Sequence, residues 1–102
     1  MMFPLIRFRI EDRSMEPALK QNDYVIVNKF AYVFGKPKKN DIIVFKHPRG
    51  KKKFLIKRIH KINGNKLFVV GDNKTYSTDS RHFGAINKHL IIGKLLMHVK
   101  RK

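Results

Sequence analysis

Cysteine is absent from this chain of 102 residues, so no disulfide framework can staple it, and Cys-based zinc binding and thiol chemistry are closed to it. The fold must stand on packing alone. Long apolar runs are missing as well: a membrane-crossing helix needs about 20 consecutive apolar residues, and stretches such as residues 90–93 are far shorter. The chain is therefore expected not to cross a bilayer. Met1-Met2-Phe3-Pro4-Leu5-Ile6 is apolar but broken by Pro4, and it is too short for a signal-peptide core with its cleavage site. It reads as a first strand or as the stub of something removed. Acidic residues are scarce, 7 against 24 Lys and Arg, for a formal net charge of +17 with histidines neutral. That balance suits a nucleic-acid binder or a protein beside an anionic membrane surface, and composition does not choose between them. The densest basic clusters, at residues 36–39, 49–53 and 100–102, are short enough to be solvated loops and tails.

What is present suffices for one packed core, with 42% apolar residues including 8 Phe, and a single domain over 1–102 is expected. No helical periodicity is sustained over 11 residues or more; residues 29–34 allow one helical turn within a loop. Strand signals dominate instead. Runs rich in β-branched and aromatic residues at 24–27, 42–45, 54–62, 67–70 and 90–99 are separated by turn chemistry. Asn63-Gly64 between two of them marks a hairpin. The expected architecture is mostly β, a small coiled antiparallel sheet or partial barrel. Phe3, Phe8, Phe30 and Phe83 are expected in its core.

Three segments carry candidate chemistry. In Arg13-Ser14-Met15-Glu16-Pro17-Ala18-Leu19, Pro17 disfavours helix at Glu16 and is expected to hold the segment extended, presenting Ser14 at a fixed angle. A loop serine is ordinarily structural, and it becomes a nucleophile only with a base in hydrogen-bond reach. In Phe54-Leu55-Ile56-Lys57-Arg58-Ile59-His60-Lys61-Ile62, strand alternation puts Leu55, Lys57, Ile59 and Lys61 on one face, so Lys57 stands between two aliphatic side chains. Burial disfavours an ammonium and the positive field of the chain pushes the same way. Both lower the lysine pKa from about 10.4, and a base near neutrality needs a drop of roughly 3 units. The bland alternative is a lysine that snorkels its charge to water. The third segment, Gly71-Asp72-Asn73-Lys74-Thr75-Tyr76-Ser77-Thr78-Asp79-Ser80-Arg81-His82-Phe83-Gly84, suits a loop of local hydrogen bonds in which Asp79 and Arg81 can pair. The five histidines, His47, His60, His82, His89 and His98, lack metal-like pairing, and neither metal nor cofactor is expected.

Order and content together resemble the signal peptidase I family of Ser-Lys serine proteases. Ser14-Met15-Glu16-Pro17-Ala18-Leu19 is similar to that family's Ser-Met-x-Pro-Thr-Leu, with Ala18 where threonine is usual, and Asn40-Asp41-Ile42-Ile43-Val44-Phe45 to its Gly-Asp-Ile-Val-Val-Phe strand. Ile56-Lys57-Arg58-Ile59 is similar to the segment carrying the base. Gly71, Asp72, Asn73, Ser77, Asp79, Ser80, Arg81 and Gly84 match every fixed position of Gly-Asp-Asn-x-x-x-Ser-x-Asp-Ser-Arg-x-x-Gly. The resemblance runs from about Asp12 to Lys94. It implies a signal peptidase catalytic core in which Ser14 is the nucleophile and Lys57 the general base. Ser77 would orient the lysine amine, and Asp79 with Arg81 would buttress the site. It implies, further, a serine endopeptidase that removes N-terminal leader peptides after small residues (Ala-x-Ala-like). The precursor would be bound as an extended strand, with an anionic membrane surface as a further partner and a peripheral membrane location.

Departures from the pattern matter. Some family members use a serine hydroxyl two residues before the nucleophile as an oxyanion donor; Asp12 stands there, and an ionised carboxylate cannot donate. A backbone group, a water or a protonated Asp12 would substitute. Asn22 and Asn40 replace glycines, which Asn's tolerance of left-handed backbone allows. Neither a large second domain nor the usual N-terminal membrane anchor is seen, so the expectation is a compact core. The short nickel superoxide dismutase maturation proteases look like this chain, and that branch would make it a cytoplasmic, propeptide-removing protease specific for one partner. From another class, a basic β-domain binding nucleic acid draws on the charge and the aromatics, but the aromatics sit mostly in hydrophobic strand runs, which core packing explains better.

Overall fold

The computed structural model describes residues 4–50 and 52–100. Phe3 and the start of the proposed N-terminal strand lie outside the described residues, as do Lys51 in one basic cluster and Arg101 and Lys102 in another. The strands run as β1 (Leu5–Arg9), β2 (Tyr24–Asn28), β3 (Ile42–Lys46), β4 (Phe54–Asn63), β5 (Lys66–Val70), β6 (Ile86–Asn87) and β7 (Ile91–Val99). A single helical turn, α1 (Ser80–Phe83), precedes β6. All seven strands form one antiparallel sheet in the order β1-β2-β7-β3-β4-β5-β6, curled into an open half-barrel. The mostly-β, partial-barrel expectation holds.

Central position explains the sequence of β3. It lies between β7 and β4, and Ile43, Val44 and Phe45 are all buried, which is why a continuous apolar run rather than an alternating one encodes it. Ile43 and Phe45 point into a cluster with Leu55, Ile59, Leu67, Val69 and Ile86. Val44 points the other way, into a cluster with Ile10, Met15, Leu19, Val25 and Val27. Two apolar layers thus clasp the middle of the sheet. Phe83 and Phe8 are half-buried against the two layers, whereas Phe30 is 36% exposed, on a turn where no layer covers it.

Three local expectations are corrected. The hairpin turn is Gly64-Asn65 rather than Asn63-Gly64: Asn63 still pairs with Lys66, and Gly64 supplies the positive φ of 60°, the glycine-first pattern of a tight hairpin. Lys61 does not share the face of Lys57, because the pairing slips between Ile59 and Lys61, leaving His60 as an extra residue that resets the alternation. The segment after Ser14 is not extended either. Residues 14–18 coil into successive turns, with a cis Glu16-Pro17 bond and the Leu19 N–H donating to the Met15 carbonyl at 2.9 Å, so that Met15 and Leu19 both reach the second layer. Asn22 and Asn40 do adopt positive φ, 74° and 77°.

β7 crosses β2 closely at Gly93, where an added Cβ would sit 2.5 Å from Val27 Cγ1 and 2.6 Å from the Asn28 carbonyl oxygen. Gly93→Ala is expected to cost about 1–3 kcal/mol, read as a lower midpoint in urea unfolding. An unchanged midpoint would show that the two strands yield without strain.

Candidate active site

Ser14 lies just beyond β1, at the start of a loop that Ile10 closes: the Ile10 N–H donates to the Asp23 carbonyl and the Asn22 N–H to the Ile10 carbonyl, each at 2.8 Å. Buried Met15 and Leu19 anchor the turn from below, and Ser14 itself is only 3% exposed. A buried serine here is held by its neighbours rather than by solvent. Its carbonyl accepts the Asn73 N–H at 2.8 Å, the Asp72 N–H approaches Met15 Sδ at 3.5 Å, and the Arg13 guanidinium stacks 4.6 Å over the Tyr76 ring. The Ser14 turn and the 71–84 loop are thereby latched together.

Gly71 makes that latch geometrically feasible. A Cβ there would fall 2.7 Å from the Ser14 carbonyl oxygen and 2.6 Å from Ser77 Cβ, inside any real contact. Ser14 and Ser77 therefore flank one stretch of bare backbone. Ser77 donates its hydroxyl proton to Asp79 Oδ2 at 2.6 Å, which leaves its oxygen lone pairs as the means of orienting an amine.

Asp79 has no solvent exposure. Burial alone would raise its carboxyl, but donation from the Arg81 side chain, the Ser77 hydroxyl and the Gly71 and Arg81 N–H groups outweighs burial and holds it far below the usual carboxylate range. Asp79 also caps α1: its side chain accepts from the Arg81 N–H, while the His82 ring accepts the Asp79 N–H.

Lys57 sits on β4 directly across from Ile43 and between Leu55 and Ile59, with 1% exposure. Sequence alternation located this face; snorkelling is ruled out by the burial. Its pKa is lowered, chiefly by burial, while the carboxylates of Asp12 and Asp79 pull it up and the cations Lys53 and Arg81 push it down. Next to it, Arg58 faces the other way and grips Asp72 with two hydrogen bonds of 2.9 and 2.8 Å, fixing the start of the loop to the lysine's own strand.

The contacts of two groups named in the sequence reading are new. Ser80 is buried, and its hydroxyl accepts the Val69 N–H at 2.9 Å, docking α1 on β5. Asp12, weighed in the sequence as an ionised non-donor or a protonated substitute donor, accepts the Ser14 N–H at 3.0 Å. Its carboxyl is raised by burial but lowered more by Ser14's hydrogen bonds and by Lys57 and Lys53, so it ends below its ordinary value. No local sequence signal announces the Ser80 contact, eleven residues apart, whereas an Asp two residues before an N–H is the local pattern of an Asx turn. Beside Ser14 opens a groove of about 390 Å³ between β1 and the start of β4, lined by Phe8, Ile10, Asp12, Met15, Phe54 and Ile56 among others.

The sequence profile of the family described as signal peptidase, peptidase S26 matches residues 1–67 and 60–99. The chain is 28% identical over 139 residues to signal peptidase I V of Bacillus subtilis (strain 168), covering 86% of this chain and 82% of that protein. It is 31% identical over 109 residues to the mitochondrial ATP-independent inner membrane protease subunit 1a of Arabidopsis thaliana, covering 84% of this chain and 65% of that one. Signal peptidase I of Bacillus caldolyticus is 28% identical over 145 residues, covering 92% of this chain and 79% of that protein.

Because the Asp79 carboxyl is depressed in the folded state, its stabilisation is complete above the unfolded value of about 3.9 and is lost as pH falls below it. Asp79→Ala is expected to lose roughly 3 kcal/mol at neutral pH and to flatten the acid dependence of urea unfolding. Equal urea midpoints for the two proteins at pH 7 would remove Asp79 as the anchor of the loop.

Proposed function

The chain belongs to the peptidase S26 family of signal peptidases and is a serine endopeptidase of signal peptidase type, and from that premise we propose that it cuts with Ser14 as nucleophile and Lys57 as general base. The observation that carries the assignment is a lysine buried to 1% exposure whose pKa is driven down by that burial, and on which Asp12 acts while also accepting the N–H of Ser14, the serine latched to the 71–84 loop. A neutral Lys57 amine takes the Ser14 proton as the hydroxyl oxygen attacks the scissile carbonyl. The proton then goes to the leaving amine as the peptide bond breaks, and water hydrolyses the acyl-enzyme by the same route. Ser77 accepts from the amine and orients it, while Asp79 and Arg81 hold Ser77. The Ser14 N–H stabilises the oxyanion of each tetrahedral intermediate.

The family acts on precursor proteins that carry signal peptides. We extend this to a leader bound as an extended strand along β1, which ends the sheet and so leaves one row of backbone groups unpaired. Alternate residues of such a strand face the groove, the pattern that suits small side chains at the first and third positions before the cut. A peripheral membrane position is supported by the +17 charge and by exposed Val33, Phe34, Leu96 and Met97, which suit an anionic lipid surface.

The test is cleavage of a leader-bearing precursor with an Ala-x-Ala site, in lipid or detergent. The intact protein is expected to cut at that site, and folded Ser14→Ala and Lys57→Met to fall by at least about a thousandfold. Activity should rise with pH through the lowered Lys57 pKa, because only the neutral amine accepts a proton, so the acid limb should lie below the ordinary lysine value of about 10.4. Full activity in either variant sinks the dyad.

A further inference from the structure

Asp12 is an exposed residue at a bend two positions before Ser14, and it lines the groove beside it. Its Oδ1 accepts the Ser14 backbone N–H at 3.0 Å. That N–H is the donor the proposed reaction needs when the substrate carbonyl oxygen becomes an oxyanion. In the free protein the donor is therefore already taken, by a negatively charged oxygen that mimics the one it must later serve. The same carboxylate also acts on Lys57, favouring the ammonium against burial. One side chain thus opposes both halves of the chemistry.

We propose that Asp12 is a displaceable stopper of the oxyanion site. A substrate strand entering the groove pushes the carboxylate off the Ser14 N–H. The donor is freed, negative charge withdraws from Lys57, and the lysine pKa falls further, so that the amine sheds its proton when substrate arrives. The groups acting on Lys57 are Asp12 and Asp79 in one sense and Lys53 and Arg81 in the other; those acting on Asp12 are Ser14, Lys57 and Lys53. Asp79 cannot play the same part, since it is fully buried and bound to Arg81, Ser77 and Gly71. Asp12 is a positioning residue, acting through Ser14 and Lys57, and the inference rests on their reading as nucleophile and base.

The test compares Asp12→Ala, Asp12→Asn and Asp12→Ser with the unaltered chain and Ser14→Ala, using cleavage of the leader-bearing precursor and NMR titration of the Lys57 side chain in the full chain. In Asp12→Ala the Lys57 titration and the acid limb of kcat/KM should both move to lower pH by about half a unit or more, and KM should fall. Asp12→Asn keeps an acceptor for the Ser14 N–H but loses the charge, so it should reproduce the pH shift without the fall in KM. Asp12→Ser adds a hydroxyl donor and should raise kcat by about tenfold over Asp12→Ala. An unmoved Lys57 titration in Asp12→Ala overturns the inference, and the NMR arm reads this without any turnover. Cleavage by Ser14→Ala overturns the dyad reading instead, so the two failures are told apart.

Discussion

A carboxylate with no access to water has to be answered by donors, and the site is organised around the answer given to Asp79. Its two oxygens receive Gly71 N–H, Ser77 Oγ, Arg81 N–H and two nitrogens of the Arg81 guanidinium. The donors come from Gly71, Ser77 and Arg81, spread across the 71–84 loop, so satisfying one buried charge ties the loop together. Once folded, the loop presents the Asn73 N–H to the Ser14 carbonyl and brings Ser77 against Gly71. The position of the candidate nucleophile is thus a consequence of charge satisfaction some distance away in sequence.

The sheet supplies the second requirement, a lysine that is kept from water. β4 lies inside the sheet and its partner residues Ile43 and Phe45 are themselves buried, so a side chain projecting from the middle of β4 has apolar neighbours along and across the strands. Curling of the sheet wraps these neighbours around it, and the ammonium is disfavoured by lost hydration. Arg58, one residue on and facing the other way, binds Asp72 and so joins the lysine strand to the loop that Asp79 organises. Loop and strand form one mechanical unit.

The overall positive charge has a smaller part in this. Most of the Lys and Arg side chains are exposed and their fields are screened over about 10 Å at ordinary salt. What bears on Lys57 is a short set of neighbours of both signs, in which Asp12 and Asp79 counter Lys53 and Arg81. Burial is the larger influence. The charge of the chain as a whole acts farther out, where a lipid surface or a charged substrate approaches.

Much of this was legible in the order of residues. β-branched runs and the turn signals between them determined the strands, because side-chain alternation and turn chemistry are local properties. They located Lys57 between Leu55 and Ile59, and the spacing of Gly71, Ser77, Asp79 and Arg81 marked the loop. Locality is also where that reading stopped. The bulge that turns Lys61 outward depends on how β4 pairs with β5, and the coiling of residues 14–18 depends on Met15 and Leu19 finding the apolar layer beneath. The docking of Ser80 on β5 is a contact between groups eleven residues apart whose meeting no neighbouring residue encodes. The sequence by itself marked the residues proposed to carry the chemistry and the strands around them. Only the tertiary structure decided which of their donors and acceptors are already occupied, since hydrogen bonding and burial are set by what the curled sheet brings into reach.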